Sequence, residues 1–312
     1  MKIIVTGGTG FIGQVLVGEL AGQGHDVVVL SRKASRSPRS SVRLVEWDAR
    51  STGPWQSEVA SADAVVNLAG APIAERRWTE SRKELLLNSR ILATRLLVDA
   101  SARRSTTLPI LVSASGIGYY GASDDRLLDE RSSLGEGFLA NLSAAWEAEA
   151  LRAGQFGTRV VLLRTGMVLE QGGGALPKML LPFRLFAGGP VLPGTQWVSW
   201  IHRSDLIGLI QWAIATSAVS GPVNAVAPGA VTMNMFCSTL GKVLHRPSWL
   251  PVPGPALRLA LGELGTLMTT GQRVDPAKAR AGGYTFRYPT LEPALQAIIN
   301  KEDQACLPSS TR

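Results

Sequence analysis

Residues Met1–Gly13, MKIIVTGGTGFIG, join a strand to a helix through a run of glycines. Ile3-Ile4-Val5 is a short β-branched run of the kind that forms a strand buried on both faces of a parallel sheet. It breaks at Thr6-Gly7-Gly8-Thr9-Gly10 and resumes with helical spacing through Leu20, and Gly7, Gly10 and Gly13 stand three apart. In such a unit the first glycine permits a tight turn and the second lets the backbone approach a pyrophosphate. The third lets the helix pack close on the sheet. The helix then points its N-terminal N–H groups and positive dipole end at the phosphates. A second strand follows at His25–Leu30, which completes the context a dinucleotide site requires. Thr6, Gly7, Gly10, Phe11, Ile12 and Gly13 are expected to form the first half of that site.

The end of the second strand selects between the two nicotinamide dinucleotides. A fold of this kind that prefers NAD places an acidic residue here for the ribose 2′-hydroxyl, whereas an arginine accommodates a 2′-phosphate. No carboxylate occurs from Leu30 to Leu44, while Arg32, Lys33, Arg36, Arg39 and Arg43 crowd the segment. A guanidinium makes paired, charge-assisted hydrogen bonds to phosphate. NADP(H) is therefore the expected cofactor, with Ser31, Arg32 and Lys33 at its ribose.

The β-α pattern then repeats. Val42–Glu46 is strand three, with Asp48 beyond it as an adenine contact. Strand four begins at Ala64 and runs into Leu68-Ala69-Gly70, a turn whose side chains stay small beside a ligand. A helix is expected from about Thr79 to Arg104, with Leu86, Ala93 and Leu97 on one face and Arg90 at its edge. A charge there needs a carboxylate, a group of backbone carbonyls or an anionic ligand. Strand five, Pro109–Ser115, leads into Gly116-Ile117-Gly118-Tyr119-Tyr120-Gly121. Alternation puts Ser113 and Ser115 on the same side, with Ser115 nearer the ligand-binding carboxyl edge. A helix at about Phe138–Ala153 and strand six at Arg159–Leu163 follow, ending at Arg164.

This pattern predicts an α/β fold with a Rossmann-type, doubly wound parallel sheet. Residues 1–170 form the NADP-binding domain, to which 198–229 return through a strand at Pro222–Val226. A smaller α+β C-terminal substrate or cap region is built from 171–197 and 230–300. It is expected to hold a helix over Pro255–Met268, a strand at Tyr284–Phe286 and a last helix over Leu291–Asn300. Ser204 is the expected cap of a helix over Arg203–Ala218, and residues 301–312 are expected to be a disordered tail.

Composition narrows the class. The chain has 312 residues and a net charge of +8, with a sequence pI of about 9.9. The charge is scattered and lacks aromatic interleaving, so nucleic acid is not an expected partner and a small-molecule substrate is. No apolar run is long enough to span a bilayer, so a membrane is not an expected partner either. Cys237 and Cys306 do not make a disulfide framework, and a reducing, cytoplasmic setting without a leader is expected. His25, His202 and His245 have no metal-ligand spacing, so no metal is expected.

The glycine pattern, the segment ending Tyr120-Gly121 and Trp200-Ile201-His202-Arg203-Ser204-Asp205-Leu206 together resemble an extended short-chain dehydrogenase/reductase. Leu163–Leu169, Gly172-Gly173-Gly174, Pro182-Phe183-Arg184 and Gly271-Gln272-Arg273 are similar to its YfcH-like "epimerase family" branch. That branch carries an extra C-terminal domain of unknown function. The resemblance implies a cofactor site that also draws on Leu68, Ala69, Gly70, Arg90, Ser113 and Arg164. It implies Ser115 as the hydrogen-bonding serine of the active site. In that superfamily a tyrosine, with a lysine four residues later, does the acid–base work on the helix after strand five. Here that helix, beginning Phe138-Leu139-Ala140-Asn141-Leu142-Ser143, has neither.

Three functions follow as alternatives. The first is an NADP(H)-dependent oxidoreductase in which Ser115 polarises a carbonyl and Tyr119, Tyr120 or water supplies the proton. The second is a non-catalytic NADP(H)-sensing regulator of the cell-division type. The third is a sugar-nucleotide epimerase or dehydratase.

Overall fold

The computed structural model describes residues 1–32, 41–104 and 106–306. Its core is a seven-stranded parallel sheet. The strands are β1 (Lys2–Thr6), β2 (Asp26–Ser31), β3 (Val42–Glu46), β4 (Ala64–Asn67), β5 (Ile110–Gly116), β6 (Arg159–Thr165) and β7 (Gly221–Ala225). They lie in the order β7-β6-β5-β4-β1-β2-β3, every pair parallel. The order reverses beside β1, which pairs with both β2 and β4, and such a switch point opens a crevice at the carboxyl edge. The strand expected at Pro222–Val226 does return, as the edge strand β7.

Helices cover both faces. The main ones are α1 (Gly13–Gly22), α2 (Glu80–Ala102), α3 (Phe138–Leu151), α4 (Arg203–Ala215), α5 (Met233–Leu244) and α6 (Leu291–Cys306). Alternation divides the strand residues between two cores. Ile3 and Val5 pack with Leu16, Leu20, Ile207 and Ile210. Ile4, Val65 and Leu111 pack on the opposite side with Val59, Leu97 and Val98. Strands buried on both faces need apolar residues at every position, which is why β1 and β2 are unbroken β-branched runs. A third core joins Leu176, Trp200 and Phe236 to Leu295 and Ile298 of α6.

Several boundaries in the C-terminal region differ from expectation. The helix over 255–268 is two, Gly254–Leu261 and Glu263–Thr269. They break at Gly262, whose φ of +62° a helix cannot contain. Residues 284–286 form no strand. Instead the Tyr284 ring stands edge-on to Phe286 at 4.9 Å, and its hydroxyl donates to the Asp205 carbonyl at 2.9 Å. Helix α4 ends at Ala215 and is capped by His202 rather than Ser204. The buried His202 ring accepts the Ser204 N–H at 3.1 Å. Helix α6 runs past Asn300 to Cys306, and residues 307–312 lie outside the described residues.

Asp205 ties this region to the sheet. Its carboxylate is buried and accepts the Arg287 N–H at 2.7 Å and the Tyr288 N–H at 2.9 Å. Removing it leaves two partly buried backbone donors without their partner, each costing up to about 1–3 kcal/mol. Asp205→Ala is therefore expected to lower stability by about 2–4 kcal/mol in urea unfolding. Tyr284→Phe is expected to cost no more than about 1.5 kcal/mol. Equal losses would move the tie from the carboxylate to the phenol.

Candidate functional site

The glycine turn sits at the carboxyl end of β1, at the switch point. Gly7 has a φ of +67°, and a Cβ there would lie 2.7 Å from the Leu68 carbonyl oxygen. A Cβ on Gly13 would fall 2.2 Å from the Gly7 carbonyl oxygen, so helix and turn meet in a way only glycine allows. On Gly10 a Cβ would meet Gly7 O at 3.2 Å and otherwise point into open space. That is the division of roles that backbone contact with a pyrophosphate needs. No side chain caps α1 at Ile12, and its first turn holds no acid, which leaves N-terminal donors for an anion. These residues fit a dinucleotide. Phe11 faces elsewhere. A Cβ on Gly173 would be 2.6 Å from its ring, and the Arg203 guanidinium lies 5.2 Å from the ring centroid.

The ribose end is only partly described. Ser31 closes β2, Arg32 follows it exposed, and Lys33, Arg36 and Arg39 lie outside the described residues. Arg43 does not join them. It pairs with Glu58 at 3.1 Å and with Asp26 at 3.6 Å, where β2 begins rather than where it ends. The Asp48 carboxylate serves its own turn. It accepts the N–H groups of Arg50 and Ser51 at 2.8 and 2.9 Å and the Ser51 hydroxyl at 2.8 Å. Those donors hold it below the usual carboxylate range.

A buried polar chain shapes the turn after β4. The Thr6 hydroxyl donates to Asn67 Oδ1 at 2.8 Å and accepts the N–H groups of Leu68 and Ala69, each at 3.2 Å. Asn67 Nδ2 donates to Thr94 at 2.8 Å and to Ser113 at 3.3 Å, and the Trp146 indole also donates to Thr94, at 2.9 Å. Thr6 and Ser113 thus position Leu68-Ala69-Gly70 from behind.

Arg90 lies deeper than the helix edge. It is buried and donates to the carbonyls of Leu86 and Ala71, each at 3.0 Å. Its Cζ is 5.1 Å from the Trp146 ring. Among the described residues no carboxylate pairs with it, and Nε has no partner. Burial, with Arg82 adding repulsion, brings it down to about 10.

The second buried cation, Arg164, organises the expected catalytic residues. It makes a bidentate pair with Glu147, Nε to Oε1 and Nη2 to Oε2, both at 2.8 Å. Both side chains are buried. Burial works against the Arg164 charge, but Glu147 more than offsets it and raises the group. The Ser115 hydroxyl donates to Glu147 Oε1 at 2.6 Å. Tyr120 accepts from Arg164 Nη1 at 3.1 Å and donates to Asn224 Oδ1 at 2.7 Å. The Tyr119 ring lies on the guanidinium, 3.4 Å from Cζ to centroid. Ser113 and Ser115 do share a side, but only Ser115 reaches this cluster.

Glu147 and Asn224 were not anticipated. Glu147 had a signal: it lies on one stripe of α3 with buried Ala140, Ser143 and Ala150, and an acid on such a stripe needs a cation. Asn224, on β7, had none. No group of three or more His, Cys, Asp or Glu side chains could hold a metal ion among the described residues.

Breaking a buried pair from one side leaves an unpaired charge, at a cost of about 3–5 kcal/mol. Glu147→Ala is expected to lose stability in that range in urea unfolding. Glu147→Leu combined with Arg164→Met should recover most of it. A double variant as unstable as the single one would show that packing, not charge, sets the cost.

Known proteins place the chain. The model of the NAD dependent epimerase/dehydratase family matches residues 3–226, and that of a domain of unknown function, DUF1731, matches 252–298. Epimerase family protein YfhF of Bacillus subtilis (strain 168) is 41% identical over 300 residues, 96% of this chain and 98% of that protein. The chloroplastic SDR39U1 homolog of Arabidopsis thaliana is 41% identical, covering 96% of this chain and 87% of that one. The crystal structure of human epimerase family protein SDR39U1 with NADPH superposes with a TM-score of 0.87 at 38% identity. That likeness spans 96% of this chain and 99% of the human one. The chain belongs to the NAD dependent epimerase/dehydratase family, with the DUF1731 domain at its C-terminal side.

Proposed function

We propose that the chain is an NADP(H)-dependent oxidoreductase acting on a small carbonyl compound, with Tyr119 as proton donor. The cradle at Gly7, Gly10 and Gly13 supports dinucleotide binding. Arg32 at the end of β2 and the NADPH held by the human relative support the phosphorylated form. A cytoplasmic, reducing location belongs to the same reading. It is supported by the cysteine usage, two residues far apart in sequence that make no disulfide framework.

The observation that carries the chemistry is how three hydroxyls are committed. The Ser115 proton is directed to Glu147, so this serine can accept a hydrogen bond from substrate but does not polarise a carbonyl by donating one. Tyr120 spends its proton on Asn224 and takes a bond from Arg164. Tyr119 is half-buried, and its hydroxyl has no hydrogen-bond partner among the described residues. When bound, NADPH supplies the hydride. Tyr119 gives its phenolic proton to the carbonyl oxygen, and the product is an alcohol. The Arg164 guanidinium against the ring face stabilises charge as it develops on the phenol oxygen.

Arg90 points to the class of substrate. Two of its five N–H donors are taken, both by backbone carbonyls. A buried cation with spare donors favours an anionic substrate.

NADPH is expected to bind roughly ten- to a hundredfold more tightly than NADH, the yield of one charge-assisted contact of about 1.5–3 kcal/mol. Calorimetric titration of both cofactors tests this, and Arg32→Ala should narrow the gap. Equal affinities would remove the basis for the phosphorylated cofactor.

Tyr119→Phe is expected to lower kcat for reduction across a carbonyl panel by about 10²–10⁴, with NADPH affinity unchanged. Unaltered turnover would pass the proton to water. No turnover in the unmodified protein despite tight NADPH binding would favour the regulatory alternative, with Ser115 and Tyr120 as structural braces.

A further inference from the structure

The segment that follows the glycine run at Gly172 is poor in acids. Between Gly172 and Gly262 the sequence holds six lysines and arginines and one acid, Asp205. That acid is buried, its carboxylate taken by the Arg287 and Tyr288 backbone. The acids that border this span are paired, Glu170 with Arg203 at 2.8 Å. Glu263 pairs with Lys83 at 2.5 Å, and Glu292 pairs with Lys242 at 2.8 Å.

The same span assembles an apolar patch from two distant segments. Leu181 and Leu185 stand one turn apart at the end of the helix Leu176–Arg184, and both are exposed. Phe186 follows with a φ of +59°, a conformation that costs a bulky residue energy. It leaves the ring 56% exposed. Trp249, 64% exposed, donates its indole N–H to the Phe186 carbonyl at 2.9 Å. The N–H groups of Trp249 and Leu250 both reach Gly188 O, at 3.0 and 3.1 Å. The Arg246 guanidinium lies 4.5 Å from the Phe186 ring centroid. Lys178 and Arg184 stand exposed on the same helix.

We propose that this face docks onto an anionic lipid bilayer. Leucines, a phenylalanine and a tryptophan, grouped and rimmed by Lys178, Arg184 and Arg246, match both layers of such a surface. The apolar groups enter the boundary between headgroups and acyl chains, and the cations meet the anionic headgroups. A second copy of the chain fits less well, because a symmetric contact would set these cations against one another. The patch is not a membrane span, and no helix among the described residues is long and apolar enough to be one. The inference is independent of the proposed chemistry, since it rests on different residues.

The test is sedimentation of the full chain with vesicles of phosphatidylcholine alone and with added phosphatidylserine. The expected result is binding to the anionic vesicles that weakens with salt and is absent on phosphatidylcholine. The paired variant Leu185→Glu, Trp249→Glu should weaken it at least tenfold, as should the paired variant Arg184→Glu, Arg246→Glu. Unchanged NADPH affinity certifies that each variant is folded. Should either pair unfold the chain, Trp249→Ser alone serves in its place, with a loss of at least threefold expected. No binding to anionic vesicles at low salt overturns the proposal. So does binding that no folded variant alters, or a dimer by light scattering that Leu185→Glu, Trp249→Glu dissolves.

Discussion

Arg164 and Glu147 are both withdrawn from water, and a charge pair so placed holds only if its remaining donors and acceptors are satisfied. Here each guanidinium nitrogen and each carboxylate oxygen has a partner, and the partners come from different parts of the fold. Glu147 arrives on α3, Arg164 at the end of β6 and Ser115 at the end of β5. Tyr120 comes from the turn between β5 and α3, and its hydroxyl passes the network on to Asn224 of β7. Asn224 then receives its own support from beyond the sheet. Its N–H donates to Glu130 at 3.0 Å, and its amide nitrogen to the Asp275 carbonyl at 2.9 Å. One buried pair thus fixes where the carboxyl edge of the sheet meets the C-terminal region. It also decides which hydroxyls remain for chemistry.

Much of this was legible in the sequence, for identifiable reasons. Strands buried on both faces must be unbroken apolar runs, and so β1, β2 and β4 could be read directly. The return of β7 was readable from the short apolar stretch at Pro222–Val226, although Asn224 interrupts it. Helix α2 announced Arg90 by placing a charge against an apolar stripe, and the same test applied to α3 would have announced Glu147. What stayed hidden depends on angles and on distant partners. Helical spacing persists across Gly262 although its backbone turns left-handed. Ser204 reads as a good cap, yet a buried imidazole two residues earlier, at His202, takes the N–H instead. Arg43 counts toward a basic segment in the sequence but faces Glu58 once β3 is laid beside β2. The patch around Phe186 and Trp249 joins residues some sixty positions apart, and no local pattern encodes it.

The packing of Phe11 has a bearing on how the chain can be divided. Its ring belongs to the phosphate turn but rests on Gly173 and beside Arg203, and Arg203 is pinned by Glu170 at 2.8 Å. Ile201, Leu206, Ile207 and Ile210 meanwhile fill the same core as Ile3 and Val5. A fragment cut at residue 170 would keep every glycine of the turn. It would lose the edge strand β7, one wall of the first core and the surface against which Phe11 is seated. The nucleotide-binding half is therefore not a detachable module: the chain must be synthesised past Ala225 before its opening thirteen residues have all their neighbours.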